Sequence, residues 1–286
     1  MTIKTPLKWV GSKSKVMTEL KKFLPAGQRL VEPFGGSCAV MMATDYPAYL
    51  VADINSDLIN MYQQIQQHEN AFIALAAKLF AQHGSETGYY KMRSEFNNEL
   101  GMPLLHRAAV FLYLNRHGHR GMCRYNRKGD FNIPFGFYKN PYFPLEEIRK
   151  FAEKAKRAKF ICAEFPETLR MVKPGDVVYS DPPYEGTFSD YHTDGFDISK
   201  QTQLASLLER AAKISPVIAS NSDTARTRCL YALFDTTVIN APRSLGFAAG
   251  EGKKASEIIA TLYPAIWIGF DPAARGAVTV VQEVLS

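Results

Sequence analysis

Cysteine is scarce: Cys38, Cys123, Cys162 and Cys229 are the four in 286 residues. None belongs to a C-x-x-C pair and no histidine stands beside them at zinc spacing. That excludes a disulfide-stapled scaffold and predicts reduced thiols in a cytoplasmic protein. The six histidines form no H-E-x-x-H, so no metal is expected. No apolar run approaches the roughly 18 residues of a spanning helix. The opening MTIKTPLKWVGSK has no apolar core of the signal-peptide kind, so neither membrane insertion nor secretion is expected. Both G-x-G-x-x-G and G-x-x-x-x-G-K-[ST] are missing, which weighs against dinucleotide and nucleoside-triphosphate sites. Internal repeats and low-complexity stretches are absent too.

Acid is scarce in one place above all. The chain carries a net charge of +6. From Arg116 to Phe143, six basic residues (Arg116, Arg120, Arg124, Arg127, Lys128, Lys139) face a single acid, Asp130. Those 28 residues therefore hold +5, and the other 258 hold +1. Seven aromatics lie in the same stretch, more than a merely solvated basic loop needs. A concentrated basic and aromatic segment fits a nucleic-acid face.

With 46% hydrophobic and 22% charged residues, the chain can bury a sizeable core. Its length suits about two domains, or one large α/β domain with an insertion. Near-continuous apolar runs predict strands at Arg29–Phe34, Tyr49–Asp53, Lys159–Glu164, Asp176–Ser180, Val217–Ser220, Thr236–Ile239 and Glu257–Tyr263. Helical patterns lie at Ser12–Leu24, at Ser199–Lys213 with a serine cap, and at Asp223–Leu233. This alternation predicts a doubly wound α/β sheet. It stops after Asp53: residues 57–143 read as a helical insertion followed by the basic stretch. The expected division is thus 1–56 and 144–286 for one domain and 57–143 for the other.

Two constellations carry chemistry. Glu32-Pro33-Phe34-Gly35-Gly36-Ser37 follows the first strand, where a glycine turn lets a ligand approach the backbone. Asp53 ends the next strand, a position from which an acid bonds ribose hydroxyls. Asp181-Pro182-Pro183-Tyr184 follows the strand DVVYS and is the most specific signal in the chain. Two prolines turn the chain out at the sheet edge and stiffen it. The Asp181 carboxylate and the Pro182 carbonyl can accept hydrogen bonds from the two N–H groups of an exocyclic amino group. That localises the nitrogen lone pair toward an electrophile, while the Tyr184 ring stacks on the base. At the start of the chain, Trp9 could stack on a ring or sulfonium, and Lys13 could reach a carboxylate.

PLKWVGSK, EPFGGS, LVADIN and DPPY, in this order, resemble the Dam-type adenine-N6 DNA methyltransferases of the α group. FLYLNR, CRYNRKGDFNIPFGFYKNPYFP, DYHT, the Ser220–Thr224 element and KK-x-x-E-I-I-x-x-LY extend the likeness over nearly the whole chain. The resemblance implies a Rossmann-like, mostly parallel seven-stranded methyltransferase sheet with an inserted, mainly helical DNA-recognition domain. It implies S-adenosylmethionine as methyl donor, with Trp9, Lys13, Phe34, Gly35, Gly36, Asp53 and Asp181 lining its pocket. Asp181, Pro182, Pro183 and Tyr184 match the catalytic motif, acting on an adenine flipped out of duplex DNA.

By the same likeness Arg124 matches the guanine reader, Asn126 belongs to the same CRYN element, and Pro134 touches a thymine methyl. Lys8 and Tyr138 match contacts to the outer base pair. Arg116, Arg127, Lys128 and Lys139 would mainly neutralise phosphates. His119 and Arg120 stand where the family carries Tyr-Asn, in the turn that enters the duplex. Phe137 stands where Arg is common. GATC is the expected target, with the protein acting as a monomer. Gly186–Gly195, with Phe188, Tyr191 and His192, is a candidate lid. Gly246–Gly252, flanked by Arg243, Lys253 and Lys254, is a candidate hairpin near the DNA. Cytosine-N4 transfer, an RNA acceptor and a non-catalytic DNA-binding protein on the same scaffold are the alternatives. The intact Asp53 and Asp181 weigh against the last.

Overall fold

The computed structural model describes residues 4–184, 196–241, 255–271 and 276–281. Its strands are β1 Arg29–Glu32, β2 Ala48–Asp53, β3 Ala158–Cys162, β4 Asp176–Ser180, β5 Val217–Ser222, β6 Asp235–Ala241, β7 Ala255–Leu262, β8 Ile266–Asp271 and β9 Gly276–Val281. Its helices are α1 Met17–Leu20, α2 Ala39–Ala43, α3 Ser56–Gln82, α4 Glu86–Asn98, α5 Leu104–His117, α6 Leu145–Ala155, α7 Phe165–Leu169, α8 Ile198–Ala211 and α9 Ala225–Leu230.

One seven-stranded sheet runs in the order β3-β2-β1-β4-β5-β7-β6. β1 to β5 pair in parallel, and β7 enters antiparallel between β5 and β6. Each apolar run predicted from sequence is one of these strands, shifted by a residue or two at its ends. The sheet is buried on both faces because alternate strand residues enter different cores. Leu30 of β1 packs toward the helical side with Tyr49 and Val51, while Val31 packs with Leu50, Val178, Leu204 and Leu208 on the other. The strand order reverses between β1 and β4, and ligands of open α/β sheets sit outside the carboxyl ends at such a switch point. The Glu32–Ser37 turn and the Asp181–Tyr184 loop therefore emerge side by side.

Between β2 and β3 the chain forms α3, α4 and α5. Asn55 caps α3 by accepting from Leu58 N–H at 3.0 Å. α3 bends at His68 (φ −137°, ψ 39°) and packs on α5 and α6. All residues of α5 from Ala108 to His117 are buried, as befits a helix enclosed by its neighbours. Phe72 and Phe111 share one continuous core with the adjoining sheet face.

Several local expectations differ. The helix expected over Ser12–Leu24 is instead short 3-10 pieces around α1, Lys13–Lys15 and Lys21–Phe23. α8 is capped by Asp197, which accepts from Lys200 N–H, and not by Ser199. Thr224 caps α9. α6 and the separate β8–β9 hairpin are additions that the strand-and-helix reading did not contain.

Glu32, the last residue of β1, is 2% exposed. Its carboxyl accepts from the Met41 backbone, but among the described residues Oε1 has no partner. Burial pushes its pKa up to about 8, and the nearby Asp181 carboxylate adds to the rise. A raised folded-state pKa stabilises the fold fully below the unfolded value, and that contribution is lost as pH rises toward the folded one. Wild-type stability should therefore fall between about pH 4.5 and about pH 8, with a slope of up to about 1.4 kcal/mol per pH unit from this group. Glu32→Gln should flatten that slope in urea titrations across the range. An unchanged slope would show that Glu32 is not held protonated.

Candidate active site

The glycine turn is shaped by close approach. Gly35 N–H donates to the Ala52 carbonyl at 2.7 Å, and a Cβ on Gly35 would sit 2.4 Å from Val51 Cγ1. Gly36 has φ +45°, and a Cβ there would meet the Trp9 indole at 2.9 Å. Trp9 thus lies against the turn. Asp53 holds it from β2: Oδ2 accepts from Gly36 N–H and Oδ1 from Asn55 N–H, each at 3.0 Å. The Phe34 ring contacts Phe165 and Phe196, both at 5.7 Å between centroids, forming an aromatic wall.

Asp181 leaves the end of β4 and faces Lys13, whose Nζ lies 2.8 Å from Oδ1. The same ammonium is 3.9 Å from Glu257 of β7 and 4.8 Å above the Tyr184 ring centroid. Tyr184 Oη donates to Glu257 Oε2 at 3.1 Å. Burial raises the pKa of Asp181, and Lys13 opposes the rise. Burial likewise raises Glu257, again opposed by Lys13. Tyr184 is pushed well up by burial and by the two carboxylates, so it remains a phenol. Behind the loop, Gln201 of α8 donates from Nε2 to the Pro183 carbonyl at 2.9 Å. Its Oε1 accepts from Asn221 Nδ2 of β5 at 3.1 Å. Gln201 and Asn221 are both buried, so this amide relay braces the two prolines from the core.

Sequence reasoning met Glu32, Asn221 and Glu257 only within longer motifs, the Glu32–Ser37 turn, the Ser220–Thr224 element and the KK-x-x-E-I-I-x-x-LY tail, and gave neither them nor Gln201 a role in the site. Glu257 stands at the start of an antiparallel strand, opposite Ser222 in register. Only that strand direction brings it to the carboxyl edge. Among the described residues, no group of three or more His, Cys, Asp or Glu side chains is arranged to hold a metal ion.

The basic stretch forms an outer turn system. Lys8 Nζ lies 4.2 Å over the Tyr138 ring, and a Cβ on Gly121 would collide with the Lys8 side chain. His119 N–H donates to the Pro134 carbonyl at 2.8 Å, and Arg120 next to it adopts φ 56°. Arg124, Pro134 and Lys139 are exposed. Arg124 is oriented by its Nε bond to Asn132 Oδ1 at 2.8 Å. Two expected contacts are placed otherwise. Arg116 is 6% exposed and donates to the Pro6 and Thr5 carbonyls, so it anchors the N-terminal segment and does not face outward as a phosphate contact. Asn126 spends its side chain on its own turn, accepting from the Lys128 and Asp130 N–H groups and donating to the Asp130 carboxylate. The candidate lid Gly186–Gly195 and hairpin Gly246–Gly252 lie outside the described residues.

Comparison with known proteins places this arrangement. The chain is 59% identical over 281 residues to the Retron Ec67 DNA adenine methylase of Escherichia coli, spanning 98% of this chain and 99% of the relative. It is 42% identical to a DNA adenine methylase of Serratia marcescens, over 89% of this chain and 96% of the relative. It is 40% identical to the DNA adenine methylase of Escherichia coli strain K12, over 91% and 95%. A family model described as D12 class N6 adenine-specific DNA methyltransferase matches residues 9–245. With that match and those relatives, the chain belongs to the D12 class of N6 adenine-specific DNA methyltransferases.

Proposed function

We propose that the protein transfers a methyl group from S-adenosylmethionine to N6 of an adenine flipped out of duplex DNA, within GATC. The observation that carries this reading is the meeting of Asp181, Tyr184 and Lys13 beside the Gly35-Gly36 turn, at the switch point between β1 and β4. The residues present fit the donor. The glycine turn leaves bare backbone beside the Trp9 and Phe34 rings, and Asp53 offers its carboxylate there. Ser180 Oγ and Glu32 Oε1 are buried without a partner among the described residues. An aromatic-walled turn with a carboxylate and unused buried polar atoms suits a donor that carries a nucleoside, a sulfonium and an amino-acid head. When bound, S-adenosylmethionine supplies an electrophilic methyl carbon.

The chain's own residues do the rest. Trp9, Phe34, Gly35, Gly36 and Asp53 shape the donor side, with the Asp53 oxygens set for ribose hydroxyls by their backbone bonds. Asp181 and the Pro182 carbonyl accept hydrogen bonds from the two amino N–H groups of the target, and Tyr184 stacks on its ring. The brace from Gln201 keeps the proline loop in place, so catalysis is positioning and electrostatics. Residues 57–143 read the DNA, and 1–56 with 144–286 hold the donor and perform transfer. Arg124 reads guanine, Pro134 a thymine methyl, Lys8 and Tyr138 the outer pair, while His119 and Arg120 enter the duplex and Lys139 contacts phosphate. The protein acts as a monomer in the cytoplasm. No helix among the described residues is long and apolar enough to cross a membrane.

Expression in methylation-free cells tests the reading. Plasmid from those cells should be cut by a nuclease that requires N6-methylated GATC, and plasmid from cells carrying Asp181→Ala should not. Asp181→Ala protein should still bind GATC duplex in a gel-shift assay. Wild-type turnover by that variant would sink the assignment. Arg124→Ala should lose roughly 1–3 kcal/mol of discrimination at one base pair, seen as relaxed preference across a set of single-substitution duplexes. An unaltered preference would contradict its role as reader.

A further inference from the structure

Glu257 carries a second consequence of the same geometry, and it rests on the proposed role of Asp181. Lys13 is paired with the carboxylate that the target amino group has to use. Lys13, Asp181 and Glu257 side chains are 7%, 17% and 15% exposed. An ammonium this buried is costly to leave unpaired. Its other hydrogen-bond acceptor, the Gly11 carbonyl at 3.4 Å, is neutral, so giving up Asp181 leaves the charge to be balanced by another anion. Among the described residues, Glu257 is the other carboxylate within 4.0 Å of Lys13 Nζ, at 3.9 Å. It is also the partner of Tyr184 Oη, the hydroxyl of the proposed stacking ring.

We propose that Glu257 is a positioning residue with two linked tasks. Its carboxylate fixes the edge of the Tyr184 ring through the hydroxyl. It also provides the second seat for the Lys13 ammonium once Asp181 is engaged by the target amino group. In the structure described here, Lys13 stands on Asp181 as a placeholder cation. Entry of the target shifts it toward Glu257, so the pocket keeps its charge balance while Asp181 becomes available as an acceptor. No bond is made or broken in this exchange, and Glu257 need never touch the substrate.

Four full-length variants separate these tasks: Glu257→Gln, Glu257→Asp, Tyr184→Phe, and Glu257→Gln combined with Tyr184→Phe. Glu257→Gln keeps an acceptor for Tyr184 but removes the charge. It should bind S-adenosylmethionine within about threefold of wild type by calorimetry, and should still raise the fluorescence of 2-aminopurine placed at the target position. Its kcat should fall about tenfold or more, the scale of one lost charge-assisted contact, with KM for DNA nearly unchanged. Glu257→Asp should recover much of that loss, and the double variant should be about tenfold slower than Tyr184→Phe alone. Wild-type kcat in Glu257→Gln would overturn the proposal. So would a double variant no slower than Tyr184→Phe, since Glu257 would then act through the hydroxyl alone, or a Glu257→Asp no better than Glu257→Gln. Wild-type protein run beside them guards the underlying reading: if it transfers no methyl group from S-adenosylmethionine, that reading fails first.

Discussion

A single ammonium ties the candidate site together. Lys13 comes from the N-terminal segment, Asp181 from the end of β4 and Glu257 from the start of β7, and the cation lies between the last two. Removing charges from water is costly and is offset only when each finds a partner. The pairing therefore fixes where the N-terminal segment can run. The two residues that segment carries just before, Lys8 and Trp9, serve different faces. Trp9 lies on Gly36 in the glycine turn, while Lys8 lies on Gly121 and Tyr138 in the basic turn system. Asn115 of α5 holds Lys8 at both backbone groups, at 2.9 and 2.8 Å, and bonds the Gly121 carbonyl at 2.9 Å. The dipeptide is thus a pin between the sheet edge and the basic face.

A second route joins the same two regions. Asp53 at the end of β2 accepts from Asn55 N–H, and Asn55 reaches Cys123 Sγ at 3.5 Å. Asp57, two residues on, accepts from Arg107 and from Tyr125 Oη at 2.7 Å. Arg124 stands between those two anchored neighbours, so an exposed side chain springs from a backbone held on both sides. Constellations on a braced backbone keep their geometry better than ones on free loops. The brace also explains why burial in this region includes so many polar groups: Asn55, Asp57, Asn115 and Arg116 are each buried and each engaged.

Much of this was legible in the residues because local patterns and tertiary demands agree. RLVE, AYLVAD and DVVYS are apolar on both faces, and a central parallel strand needs that. The residues show that the Gly35-Gly36 turn and Asp181 each follow a strand; the parallel pairing of β1 with β4 is what brings the two together. The rest depended on information that spacing does not carry. α6 reads as an ordinary charged amphipathic stretch, and β8 and β9 form a two-stranded sheet of their own. The helical pattern of Ser12–Leu24 yields to tertiary contacts, since Lys13 turns inward to its carboxylates. Arg116 sits in a basic run and so resembles its neighbours, yet its helix face turns it to the Pro6 carbonyl. Glu257 became a site residue only through the antiparallel entry of β7.

The turn at Gly118–Gly121 holds an arginine in a conformation that asparagine adopts more readily. Arg120 adopts φ 56° and ψ 10°, a left-handed conformation that costs most residues about 1–2 kcal/mol. Asparagine tolerates it better, in keeping with the Tyr-Asn that the family resemblance places here. The surroundings hold the conformation regardless. Gly121 N–H donates to the Gly118 carbonyl at 3.0 Å, His119 N–H is bonded to Pro134, and a Cβ on Gly118 would lie 2.6 Å from the Leu114 carbonyl. Against the Tyr-Asn of the resemblance, the side chain here is a cation where an amide is neutral. On the proposed reading, a cation at the duplex strengthens binding to any sequence through the phosphates and selects none. Discrimination then stays with Arg124, whose anchors this exchange does not touch.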